Sequence, residues 1–168
     1  RAVAHEIRNP LTPIQFALQR LREEARRPEA PRSEVVAENA DMVVLAPYAP
    51  RFPFETWILP RTHDAHFERS ALRPGALRDL STLLRRTLTR IRAVSEDFHM
   101  VLHTSPNTMH KSEALDYWKT LDDDYHWHIE ILPIMTKKPK SYSMKEVYFT
   151  PISPETSARR LREAPVPS

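Results

Sequence analysis

Residues 125–132, YHWHIEIL, decide how this chain is expected to fold. Aromatic and branched apolar residues alternate with polar ones along this stretch, which is the two-residue period of a β-strand. The apolar face carries Tyr125, Trp127, Ile129 and Ile131. The opposite face carries His126, His128 and Glu130. The pattern therefore predicts a strand buried on one face, with three chemically capable side chains on the other.

Runs of β-branched and aromatic residues predict three more strands, at Met42–Leu45, Glu55–Leu59 and Phe98–His103. Between the second and third of these, Ala76–Val94 has apolar residues at steps of three and four, which predicts an amphipathic helix. A last helix is predicted over Glu155–Glu163, started by a serine cap and a first-turn proline. This order of elements predicts an α+β fold with an antiparallel sheet and packed helices.

The first quarter of the chain differs from the rest in its pattern of apolar residues. In residues 2–25 the apolar positions recur at steps of three and four, which predicts a helix with a packing seam. Pro10 and Pro13 interrupt the pattern and are expected to bend this helix. A polar, proline-broken segment follows. The predicted organisation is an appended helix over 1–25, a linker over 26–34 and a domain over 35–168.

Composition excludes several classes of function. The net charge of +3 arises from interspersed Arg and Glu, so no basic block argues for nucleic acid as a partner. No apolar run approaches the roughly 18 residues that span a bilayer, and no signal-peptide pattern appears, so we expect a cytoplasmic protein without a membrane partner. The only glycine is Gly75. Glycine-rich phosphate loops are therefore excluded, and any phosphate chemistry must use side chains.

Three histidines are candidate metal ligands. His126 and His128 lie two residues apart on one predicted strand, and His103 ends the preceding one. Neutral imidazoles on neighbouring strands can converge on one metal ion. The spacing leaves a catalytic role open, and ordinary surface or hydrogen-bonded histidines are the alternative interpretation.

The stretches VVAENADMVVLAPYAPRFPFETWILPRTH, MVLHTSP and YHWHIEILP, in this order, resemble the C-terminal half of galactose-1-phosphate uridylyltransferases. These enzymes are a branch of the histidine triad superfamily, and the resemblance covers roughly residues 35–163. It implies a histidine-triad-like sheet. It also implies that His103, His126 and His128 bind zinc or iron, with a fourth ligand from an N-terminal half. His63, in PRTH, matches a position that ligates zinc in members with paired cysteines.

The same resemblance implies transfer of a uridylyl group between hexose 1-phosphates, in galactose metabolism, with a UDP-sugar and a hexose 1-phosphate as partners. The family's nucleophilic histidine lies in an HPH motif, which does not occur in these 168 residues, so we expect this chain alone to be inactive. His128 matches the nucleophile of histidine triad hydrolases. Two residues further on, however, Glu130 places a carboxylate where a donor to phosphate is expected.

The segment KKPKSYSMKEVYF follows the HxH strand, where family members contribute sugar-phosphate contacts across a dimer. The resemblance thus implies a homodimer, with Lys140, Tyr142 and Lys145 as candidate ligands of the substrate. A solvated lysine loop is the alternative interpretation. A module that only binds sugar phosphate or nucleotide is a further functional hypothesis for the domain.

The start of the chain, RAVAHEIRNPLTPIQFALQRL, resembles the phosphoacceptor helix of nitrogen-regulation-type sensor histidine kinases. That resemblance implies that His5 accepts phosphate, that Glu6 acts beside it as acid or base, and that Asn9 positions the reaction. The second bundle helix and the ATP-binding domain have no counterpart, so His5 would be phosphorylated in trans. Two unrelated signatures joined by a proline-rich linker indicate a gene fusion, a frame or assembly artefact, or an engineered chimera.

Overall fold

The computed structural model describes residues 33–106, 120–135 and 150–166, and within these ranges the chain forms five strands and four helices. The strands are β1 (Val35–Glu38), β2 (Met42–Leu45), β3 (Thr56–Pro60), β4 (Phe98–His103) and β5 (His128–Pro133). The helices are α1 (Phe67–Ala71), α2 (Ala76–Arg92), α3 (Leu121–Asp124) and α4 (Pro154–Glu163). The predicted α+β class is confirmed.

The five strands form one antiparallel sheet in the order β1-β2-β3-β5-β4. The β1–β2 hairpin closes on Asn39, whose side-chain oxygen accepts hydrogen bonds from the backbone N–H groups of Asp41 and Met42. This is the Asx turn that asparagine favours. Because β5 lies between β3 and β4, the histidine-rich strand sits inside the sheet and not at its edge.

Helices α2 and α4 cover one face of the sheet. Helix α2 begins after Gly75, whose φ of +84° is readily adopted only without a side chain. Helix α4 begins at Ser153, which accepts a hydrogen bond from the backbone N–H of Thr156. The core between helices and sheet contains Ile58, Leu80, Leu83, Ile91, Trp127, Ile129, Ile131 and Leu161. The second face carries the smaller cluster of Val35, Val43, Leu45, Trp57 and Leu59.

Most predicted elements lie close to their predicted bounds. Strands β2 and β4 occupy the predicted residues, whereas α2 ends two residues earlier than expected, at Arg92. Helices α1 and α3 were not predicted, because four or five residues make little more than one turn and cannot show a helical period. Strand β1 was not predicted either. Strand β5 begins at His128 and not at Tyr125, because the backbone N–H of Trp127 donates to the carbonyl of Asp64.

Two predicted features lie outside the described residues. These are the N-terminal helix with His5, and the lysine-rich segment with Lys140, Tyr142 and Lys145. Among the residues that the structure does describe, no helix is long and apolar enough to cross a membrane.

Candidate functional site

A cluster of polar side chains lies on the face of the sheet opposite to helices α2 and α4, where β3, β5 and β4 run side by side. Direct cross-strand pairs bring it together, because residues opposite each other on neighbouring strands share a face. His103 of β4 pairs with His128 of β5, and Glu130 of β5 pairs with Trp57 of β3. The members of the cluster are Arg51, Glu55, Trp57, His103, His128 and Glu130.

His128 lies at the centre of this cluster, sandwiched between two rings. Its imidazole stacks on that of His103, with ring centroids 4.6 Å apart and planes inclined by 16°. On its other side the centroid of Trp57 lies 5.4 Å away. Burial lowers the pKa of His128 to about 4, and the neighbouring charge of His103 acts in the same direction. The ring is therefore neutral at physiological pH.

The tautomer of His128 follows from its hydrogen bond. Its Nδ1 lies 3.3 Å from the carbonyl oxygen of His126, and a carbonyl can only accept, so Nδ1 carries the proton. In the neutral ring Nε2 then keeps its lone pair. A neutral imidazole with a lone pair on Nε2 is the form required of a nucleophile or of a metal ligand.

The negative charge of Glu130 is balanced by neighbouring hydrogen-bond donors. One carboxylate oxygen contacts the guanidinium of Arg51, and the other lies 3.2 Å from Nε2 of His103. Burial opposes ionisation, but the hydrogen bonds from His103 and Arg51 outweigh it and lower the pKa of Glu130 to about 2. The repulsion of phosphate that the sequence suggested at this position is therefore reduced within the domain itself.

Arg51 and Glu55 belong to the site although they were not predicted as site residues. Glu55 is 1% exposed and accepts hydrogen bonds from the backbone N–H of Arg51 at 2.6 Å and from the indole N–H of Trp57 at 3.1 Å. Burial raises its pKa to about 7, although the charge of Arg51 opposes this. The neighbouring carboxylate of Glu130 also raises the pKa of Glu55. The signal in the sequence was an Arg and a Glu four residues apart, directly before a buried strand.

The turn that presents these two residues carries backbone strain. Phe54 has a φ of +61°, which is rare for a bulky residue, and its side chain is buried in the core. Thr56 supports the turn by donating its hydroxyl to the carbonyl of Phe54 at 2.9 Å. A strained backbone conformation persists only where the surrounding structure holds it in place, and such conformations are common at functional sites.

His126 lies in a separate pair with His63, away from the stack of His103 and His128. The two Nδ1 atoms are 3.3 Å apart. The Nε2 of His126 hydrogen-bonds to the backbone carbonyl of Pro60 at 2.9 Å. The Nε2 of His63 hydrogen-bonds to the backbone carbonyl of Asp122 at 2.8 Å. The structure thus places the four predicted metal ligands in two separate pairs, His103 with His128 and His63 with His126.

The loop before α1 explains this separation. The backbone N–H of Trp127 donates to Asp64, and that of Ser105 donates to Ala65, so residues 64–65 bond to the chain between β4 and β5. The Asp64 carboxylate accepts from the hydroxyl of Ser70, which in turn accepts from the indole of Trp127. Because of these bonds, the residues before His128 do not pair with a neighbouring strand, and the side chain of His126 lies next to His63.

The donor set fits a metal ion only in part. In ranges 33–106, 120–135 and 150–166, no three His, Asp or Glu side chains are grouped to hold one. The nearly parallel stack of His103 and His128 does not converge on a point. The pair of His63 and His126 does fit two positions of a tetrahedral site, where ligand nitrogens lie about 3.3 Å apart. Both Nε2 atoms bond to carbonyls, as metal-ligating histidines usually do.

Comparisons with known proteins found one family model and several relatives that match parts of this chain. The family model of the His Kinase A (phospho-acceptor) domain matches residues 1–43. The end of that match, residues 35–43, forms β1 and the start of β2 in the structure. ADP-glucose phosphorylase of Arabidopsis thaliana is 31% identical over 131 residues, which are 77% of this chain and 34% of that protein. Galactose-1-phosphate uridylyltransferase of Rattus norvegicus is 26% identical over 139 residues, 80% of this chain and 35% of that protein.

Solved structures share the fold. The crystal structure of ADP-glucose phosphorylase from Arabidopsis thaliana with bound ADP-glucose superimposes with a TM-score of 0.61 at 28% identity, covering 79% of this chain and 41% of that one. A zinc-bound histidine triad family protein from Mycobacterium smegmatis gives a TM-score of 0.52 at 16% identity, covering 82% and 86%. At that identity the likeness concerns the fold alone.

The chain spans about a third of the length of the curated relatives that it matches. The chain therefore carries a histidine-triad-like α+β domain that is homologous to part of ADP-glucose phosphorylase and of galactose-1-phosphate uridylyltransferase.

Proposed function

We propose that this domain binds a nucleoside diphosphate hexose and a hexose 1-phosphate as part of a nucleotidyltransferase. The observation that carries the proposal is the 31% identity to ADP-glucose phosphorylase over 131 residues. The resemblance to uridylyltransferases makes UDP-glucose and galactose 1-phosphate the first substrates to test. The name of the plant relative makes ADP-glucose the alternative donor.

The charge balance of the site supports binding of a phosphorylated ligand. Arg51 and the ionised Glu130 cancel, and burial keeps Glu55 protonated below about pH 7. The phosphate would therefore not face an uncompensated carboxylate. The neutral ring of His128 adds a lone pair at Nε2 that can accept a proton from a ligand hydroxyl.

Transfer itself requires a nucleophile. In this chemistry a histidine nitrogen bonds to the α-phosphorus while the bond to the hexose phosphate breaks, and the departing oxygen keeps the electron pair. The family places that histidine in HPH, a motif absent from these 168 residues. We therefore expect the chain to support binding and to depend on a nucleophile elsewhere.

The 168-residue chain is expected to bind UDP-glucose or ADP-glucose but to show no transfer to galactose 1-phosphate. Calorimetric titration measures the first, and phosphorus NMR of the product mixture measures the second. His128→Ala should weaken binding, whereas His99→Ala, an exposed histidine on β4, should not. Lack of binding to both nucleotides would contradict the proposal. Turnover that disappears in His128→Ala would instead make this domain a catalyst by itself.

We further propose that a zinc or iron ion is held through His126, with His63 as the neighbouring ligand that the geometry favours. The expected content is about one metal ion per chain purified without a histidine tag. Binding should fall as pH drops through about 6, since ligating imidazoles must be neutral. Elemental analysis of His126→Ala, His63→Ala and the control His99→Ala is the measurement.

Two outcomes would change this assignment. Loss of metal in His103→Ala, with metal retained in His63→Ala, would favour the set of His103, His126 and His128 that the resemblance implies. Wild-type protein without metal would leave all four histidines as hydrogen-bonded polar residues.

The match of residues 1–43 to a phosphoacceptor domain favours a second candidate function. In this function His5 would accept a phosphoryl group in trans from a kinase domain. Incubation with a nitrogen-regulation-type kinase domain and ATP should then label the wild type and leave His5→Gln unlabelled. Equal labelling of both proteins would exclude His5 as the acceptor.

A further inference from the structure

We propose that Glu130, held by Arg51 and Glu55, is a positioning residue that fixes the tautomer and ring orientation of His103. The inference concerns the site of the proposed function, and only its functional consequence rests on that proposal. Its test detects a proton on His103 directly and needs no ligand.

The hydrogen bond of His103 sets which of its nitrogens carries a proton. Its Nε2 lies 3.2 Å from Oε2 of Glu130. An ionised carboxylate can only accept, so Nε2 must donate. In the neutral ring Nδ1 is then the nitrogen with a lone pair. Any ligand, substrate hydroxyl or metal ion that meets this histidine would find its Nδ1 available and its Nε2 already bonded.

The position of Glu130 is fixed from several directions. Its side chain is 7% exposed, compared with 37% for His103, so the buried partner orients the more exposed one. Its second oxygen, Oε1, contacts the guanidinium of Arg51. The same guanidinium lies 3.7 Å from the carboxylate of Glu55, which also accepts from the backbone N–H of Arg51 at 2.6 Å. Both oxygens of Glu130 are thus engaged by cationic or N–H donors.

The consequence reaches His128 through ring stacking. The rings of His103 and His128 are nearly parallel, with centroids 4.6 Å apart. A rotation of the His103 ring would therefore remove the stacking contact on one side of His128. Glu130 would therefore act on His128 through His103, without itself touching a ligand.

The experiment is proton–nitrogen NMR of the 168-residue protein with labelled histidines, in wild type and in Glu130→Leu. Wild type should show a downfield Nε2–H signal from His103, protected from exchange with water, and nuclear Overhauser contacts between the rings of His103 and His128. In Glu130→Leu both should disappear. The exposed His99 on the same strand is the internal control, and its signals should not change.

A second variant keeps the test decisive if Glu130→Leu does not fold. Glu130→Gln has the same size but only one acceptor to share between Arg51 and His103, so exchange of the Nε2–H proton should accelerate several-fold. An absent Nε2–H signal in folded wild type, or one that survives unchanged in both variants, would overturn the proposal. Failure of sugar-nucleotide binding with these signals intact would count against the proposed function alone.

Discussion

Replacing Trp127 by alanine is expected to lower the free energy of unfolding by about 3–5 kcal/mol. The indole is completely buried between the sheet and the helices. It meets the ring of Phe67 edge-on at 5.0 Å and donates its N–H to the hydroxyl of Ser70 at 2.8 Å. Truncation would open a cavity in the core and would release the loop that is bonded to Ser70. Since small domains are typically stable by only about 5–15 kcal/mol, the variant should be close to unfolding.

Urea denaturation followed by circular dichroism measures this loss. The matched control is Leu72→Ala, because Leu72 is 85% exposed after helix α1 and its truncation should change stability by less than about 0.5 kcal/mol. A loss below about 1 kcal/mol for Trp127→Ala would mean that the core does not depend on this indole.

The stability of the wild type relative to Glu55→Gln is expected to fall by roughly 2–3 kcal/mol as pH rises from about 5 to about 8. Burial raises the pKa of Glu55 from 4.5 to about 7 in the folded protein. Between these values the folded chain binds the proton and the unfolded chain does not. Stability from this group is therefore present at low pH and is lost as pH rises through the window. Glutamine imitates the protonated acid and does not titrate.

The comparison with a variant is necessary because His128 acts in the opposite direction. Its pKa is lowered from 6.5 to about 4, so the unfolded chain takes up a proton before the folded one, and stability is lost as pH falls through that window. In the wild type alone the two effects oppose each other between about pH 4.5 and 6.5. In the difference between wild type and Glu55→Gln the contribution of His128 largely cancels.

Denaturant unfolding of both proteins at several pH values is the measurement. Glu163→Gln, at the exposed end of α4, is the control and should differ from the wild type by a constant amount within about 0.5 kcal/mol. A difference between wild type and Glu55→Gln that does not change with pH would show that Glu55 titrates normally.

The fold was largely predictable because its longer helices show a helical period and most of its strands are runs of β-branched and aromatic residues. Phe98–His103 and Met42–Leu45 were predicted at the residues where the strands lie, and α2 within two residues of its end. Helices α1 and α3 were not predictable in this way, since four or five residues make little more than one helical turn, and strand β1 was not predicted either. The organisation of residues 1–32, including His5, remains a prediction.

The sequence by itself determined the α+β class, the antiparallel sheet and the placement of His128 and Glu130 on one face of a strand, because alternation along a strand is a local property. Tertiary structure alone decided the partners of these side chains. Only the fold brings Arg51 and His103 to the two oxygens of Glu130, buries Glu55 beneath them and turns His126 towards His63. These contacts join residues far apart in the chain, and the pKa values of the site depend on burial, which no local pattern of residues contains.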